Sequence, residues 1–136
     1  MATKHSVILY VLIFLTNLSL WSAPVADTPR IVRVTATKNA RFHVMGQKEP
    51  VITLKAGEVI QLRITAEKGE EWSRDGTVHS FTIRTLKDQG WDLRLKEGPQ
   101  EFTLVAPEKP GEYLVECLVM CGKGHPDMHM KVVVTP

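Results

Sequence analysis

The sequence predicts an all-β domain, a Greek-key β-sandwich, on three observations. Apolar residues recur with period two, Gly and Pro punctuate the runs, and no stretch holds an amphipathic helical stripe for three turns. Successive side chains of a strand point to opposite faces, so this alternation buries one face and wets the other. Ile60, Leu62 and Ile64 alternate with Gln61, Arg63 and Thr65; Phe102 and Leu104 alternate with Glu101 and Thr103. In chain order the strands are expected at 31–37, 51–54, 59–66, 79–84, 100–105, 113–117 and 130–135. Turns are expected at 55–58, 97–99 and 107–112, where Gly or Pro supplies the backbone geometry. Residues 67–76, polar and bearing Trp72, read as a long loop leading into the strand that carries His79. Seven to eight strands in roughly 110 residues match the size of such a sandwich.

The chain has 136 residues, enough for one domain. Residues 1–26 carry a single charged side chain, Lys4, then the apolar run from Val7 to Leu15 and the small residues Ser22, Ala23 and Ala26. A basic start, an apolar middle and small residues beyond it form the layout of a secretory signal. The alternative is an N-terminal membrane anchor. A spanning helix needs about 17–25 apolar residues, and the run from Val7 to Trp21 is shorter, which favours cleavage. Either way, residues 27–136 are expected outside the cytoplasm, and residues 1–26 are the only route to the membrane. The formal charge is +2, and removing Lys4 leaves +1, which excludes the basic footprint of a nucleic-acid binder.

Two cysteines in an oxidising compartment read first as a disulfide. Their surroundings argue for a metal. Cys117, Cys121, His125 and Met128 fall within twelve residues between the last two strands. Thiolate and thioether are soft donors and imidazole is intermediate, a set that suits copper and not calcium or magnesium. Gly122 and Gly124 let a short loop bend tightly enough to aim several side chains at one point. His79 shares a strand face with Phe81 and Ile83, so its imidazole is expected to point into the end of the sandwich and join the loop. The donors alone leave other readings open. Two Cys and two His can hold tetrahedral zinc, and one Cys, two His and a Met can hold a single copper.

The spacing Cys-x3-Cys-x3-His-x2-Met, with Pro110-Gly111-Glu112-Tyr113 before it and Val78-His79-Ser80-Phe81 upstream, resembles subunit II of cytochrome c oxidase. It is also similar to the copper domain of nitrous-oxide reductases. The resemblance covers most of residues 59–134 and implies a cupredoxin-like fold with a CuA-like centre of two copper ions. It implies that Cys117 and Cys121 bridge the ions, that His79 and His125 each cap one, that Met128 is a weak axial ligand, and that the backbone carbonyl of Val119 completes the set.

The expected function is electron transfer outside the cytoplasm, in the periplasm or on the outer face of the cytoplasmic membrane. The partner would be a cytochrome or a membrane oxidase. No chemistry is expected from the chain alone; at most it is the electron-accepting subunit of an oxidase. The alternatives are a copper storage or delivery protein and a mononuclear cupredoxin with one copper.

Overall fold

A computed structural model describes residues 27–136; the expected signal or anchor at 1–26 lies outside the described residues. Nine strands are present among the described residues: β1 Arg30–Ala36, β2 Phe42–Val44, β3 Val51–Lys55, β4 Val59–Ala66, β5 Thr77–Thr82, β6 Asp92–Lys96, β7 Gly98–Val105, β8 Gly111–Glu116 and β9 His129–Thr135. They form a four-stranded sheet in the order β2-β1-β4-β7 and a five-stranded sheet in the order β3-β9-β8-β5-β6. Two pairs are parallel, β1 with β4 and β3 with β9. Among the described residues no helix is long and apolar enough to cross a membrane.

The alternation read from sequence is what fills the space between the sheets. Ile60, Leu62, Ile64 and Ala66 of β4 are buried in one core with Met130, Val132 and Val134 of β9. Each such side chain contributes about 1.5–3 kcal/mol when removed from water. An aromatic group anchors the middle: Phe42 meets Phe81 edge-on at 5.6 Å between ring centroids, and Phe81 stacks on Trp91 at 6.4 Å.

Strands β2 and β6 stand beyond the seven that periodicity marks. β2 has three residues, too few to show a period. β6 has two inward residues, Leu93 and Leu95, between charged neighbours. β5 starts at Thr77, two residues before His79, and all six of its residues are buried, so neither of its faces is wet. Its pairing with β6 slips between Thr77 and His79. A bulge of this kind re-aims the side chains that follow it. Just ahead, the Asp75 carboxylate accepts hydrogen bonds from the Thr77 amide and hydroxyl, both at 3.0 Å, which fixes the entry to the strand.

Three connections gather at one end of the sandwich: 37–41 after β1, 67–76 after β4, and 117–128 between β8 and β9. This end carries the site.

Candidate metal centre

The strand β8 delivers Cys117 one residue past its end, and the Cys117 amide donates to the Met128 carbonyl at 3.1 Å, closing the base of the loop. Inside the loop, Pro126 sits in a short 3₁₀ turn over His125–Asp127, and the Met128 amide donates back to the His125 carbonyl. These bonds bring His125 and Met128 back over the two cysteines.

The two sulfurs stand 3.9 Å apart. That is far beyond the roughly 2.0 Å of a disulfide, and both cysteines are free. It is also close enough for a common ion, since a metal–thiolate bond measures about 2.3 Å in zinc sites. His79 Nδ1 faces the Cys117 sulfur at 4.0 Å, and His125 Nδ1 faces the Cys121 sulfur at 3.7 Å. The Val119 carbonyl oxygen lies 3.2 Å from the Cys117 sulfur, and the Met128 sulfur lies 3.8 Å from that of Cys121. Donor atoms of His79, Cys117 and Cys121 all fall within 4.8 Å of one another. The six residues expected from sequence are thus all at one place, and two sulfurs, two imidazoles, a thioether and a carbonyl form a donor set that fits copper.

The site is closed on its inner side. His79 is 0% exposed and Cys121 1%, whereas His125 is only half-buried and marks the outer rim. The second nitrogen of His79, Nε2, is 2.8 Å from the Glu67 carbonyl oxygen. A carbonyl only accepts, so Nε2 carries the hydrogen and Nδ1 turns its bare lone pair toward the sulfurs. Two buried thiols this close cannot both ionise freely. The Cys121 S–H holds the Cys117 thiol well below its usual range, opposed by burial and helped by the Ser80 amide at 3.4 Å. Cys121 is pushed up by the proton it shares with Cys117, by its own burial and by the negative charge beside it.

Sequence reasoning singled out Gly124 for the bend of the loop but not Gly69, which holds the loop from outside. Gly69 presses against it: a Cβ there would sit 2.4 Å from the Cys121 carbonyl oxygen and 3.2 Å from that of Lys38. Gly124 is less tight but still close, with the Asn39 carbonyl oxygen at 2.9 Å. Both obstacles at Gly69 are backbone, so Gly69→Ala is expected to shift the 121–124 segment and to destabilise the fold by about 1–3 kcal/mol. Thermal unfolding measures the loss, and a mutant as stable as the parent would show that the loop yields freely. Trp72, on the 67–76 connection, is half exposed and carries Lys68 over its ring at 3.5 Å.

No family model and no curated protein matches the chain. Solved structures do. A chain of a heme-copper terminal oxidase dimer is similar with a TM-score of 0.57 and 20% identity over 78% of this chain and 65% of that one. The present chain therefore spans just under two thirds of that oxidase chain. The periplasmic domain of subunit II of cytochrome oxidase from Bradyrhizobium japonicum is similar with a TM-score of 0.55 and 16% identity, covering 82% of this chain and 86% of that one. A mixed-disulfide intermediate between a thioredoxin-like protein and subunit II of cytochrome c oxidase matches with a TM-score of 0.52 and 18% identity, over 87% of each chain. The fold of this chain is the cupredoxin-like β-sandwich that it shares with the subunit II domain of cytochrome oxidase.

Proposed function

We propose that this chain is an electron carrier outside the cytoplasm that holds a CuA-like pair of copper ions. One observation carries the reading: the two unbonded sulfurs, 3.9 Å apart, each face a different imidazole nitrogen. A single copper needs one thiolate and leaves the second sulfur without a task; a pair of ions uses both. Copper, when bound, takes up and releases one electron at a time.

The chain's own residues would serve that exchange by moving little. Cys117 and His79 hang from two strands of the same sheet, and Glu67 fixes the imidazole from behind. Ligands held on rigid elements keep their places in both oxidation states. Burial of His79, Cys117, Cys121 and Met128 excludes water from all but the His125 side, which is the side for electrons to enter or leave. We propose a cytochrome or a membrane oxidase as the electron partner. A thioredoxin-like reductant is the proposed partner for keeping both thiols open, by analogy with the mixed disulfide formed by a subunit II domain.

The test is metal analysis of the purified domain together with its electron spin resonance spectrum. Two coppers per chain and one unpaired electron shared over both are expected. One copper with ordinary mononuclear hyperfine structure would overturn the binuclear reading. A second reading, copper delivery, draws on Met120, a soft thioether 57% exposed and next to Cys121 in sequence. It predicts transfer of copper to a copper-free oxidase without rapid electron exchange.

A further inference from the structure

The ladder joining β5 to β8 is short, with Thr82 and Glu116 as its one register pair. Toward the metal end, where Cys117 leaves β8, the backbone pairing has stopped and a side chain takes over. Ser80 is 1% exposed and touches two consecutive residues of the loop's root. Its amide donates to the Cys117 sulfur at 3.4 Å, and its hydroxyl oxygen accepts from the Leu118 amide at 2.8 Å.

The hydroxyl is itself held. Ser80 Oγ and Thr82 Oγ1 are 3.1 Å apart, and Thr82 Oγ1 is 2.8 Å from Asp92 Oδ1. Each hydroxyl has one proton to give. That of Thr82 goes to the carboxylate, which only accepts. The Ser80 proton therefore goes to Thr82, and its lone pairs are left to face the Leu118 amide. Hydrogen bonds aligned in this way reinforce one another. Lys87 Nζ stands 3.8 Å from the other Asp92 oxygen, at the surface end of the chain of bonds.

We propose that Ser80 is a positioning residue for the Cys117 sulfur, acting through a directed chain of hydrogen bonds from the Leu118 amide through Ser80 and Thr82 to Asp92. The inference rests on the copper reading for its redox consequence but not for the clamp itself. An N–H bond to a ligating sulfur draws charge from it, and such bonds tune the reduction potential of copper–thiolate sites. Ser80→Ala removes the acceptor for Leu118 and frees Cys117 to drift from the Ser80 amide. Thr82→Val breaks the chain one bond further out without touching the loop.

The test has two arms. In the copper-free protein, hydrogen exchange at the Leu118 amide should quicken about tenfold in Ser80→Ala, the equivalent of one lost hydrogen bond, and by less in Thr82→Val. In the copper-loaded protein the reduction potential should fall in Ser80→Ala, fall less in Thr82→Val, and recover in Ser80→Thr, which restores the hydroxyl. Faster exchange with an unmoved potential and an unchanged sulfur-to-copper absorption band would overturn the positioning role and leave Ser80 merely structural. If the parent protein binds no copper, the proposed function falls while the exchange arm still decides the clamp: unchanged exchange at Leu118 and Ser80 refutes it. Should Ser80→Ala not fold, Thr82→Val carries both arms.

Discussion

Cys121→Ser is expected to reduce bound copper from a pair of ions to at most one and to erase the spin signal shared between two metals. Three donors converge on this sulfur: the Cys117 sulfur at 3.9 Å, His125 Nδ1 at 3.7 Å and the Met128 sulfur at 3.8 Å. A serine hydroxyl is a harder donor that stays protonated at neutral pH, and soft copper is poorly held by it. Its loss would unhook His125 and Met128 together, because both reach the centre through Cys121. Cys117 and His79 would remain, tied to β8 and β5, and could keep one ion. The change in side-chain volume is small, so circular dichroism should show an intact sandwich. An unaltered binuclear spectrum in this mutant would remove Cys121 from the ligand set.

Trp91→Ala is expected to cost about 3–5 kcal/mol of folding stability, the range for deleting a large buried aromatic. Trp91 is 1% exposed, stacks on Phe81 at 6.4 Å, and donates its indole N–H to the Val105 carbonyl at 2.9 Å. The substitution opens a cavity, strips Phe81 of one partner and leaves that carbonyl without its donor. Domains of this size hold a total of only about 5–15 kcal/mol, so a large share of the margin is at stake. Trp91→Phe should recover part of the loss by refilling the space without restoring the hydrogen bond. Urea unfolding followed by circular dichroism measures both. A loss under about 1 kcal/mol would mean that the aromatic group is not the keystone its burial implies.

The long runs were legible because their alternation is a direct record of burial. β4 falls at Val59–Ala66, the range its pattern predicts, and β9 differs from expectation by one residue. Where a strand is short or buried on both faces, the pattern has nothing to report. That is why β2 stays hidden, and why the start of β5 at Thr77 and Val78 falls outside the expected strand. The cluster of donor side chains was legible for a different reason. Soft side chains at fixed spacing are rare, and Cys117, Cys121, His125 and Met128 announce themselves. What supports them is mostly backbone. The Glu67 carbonyl behind His79, the carbonyls packed against Gly69 and the Leu118 amide on Ser80 belong to no particular side chain type, so residue identity carries no trace of them.

The parallel pairing of β9 with β3 joins residues far apart in the chain, Val51 with Lys131 through Lys55 with Thr135. Contacts of such long range form late and slowly, and β-sandwiches built from them fold in milliseconds to seconds. The cysteine loop connects β8 to β9, whose local pairing closes its base, but the 37–41 and 67–76 connections that press on it from the other sheet arrive only when long-range contacts form. Until then the two thiols sit in an unsupported hairpin loop, and the compartment proposed for this chain is oxidising. The same topology that finally holds the sulfurs 3.9 Å apart thus leaves an interval during folding in which nothing keeps them from joining. The order of events, strand closure before oxidation, decides whether a newly made chain can be loaded with metal.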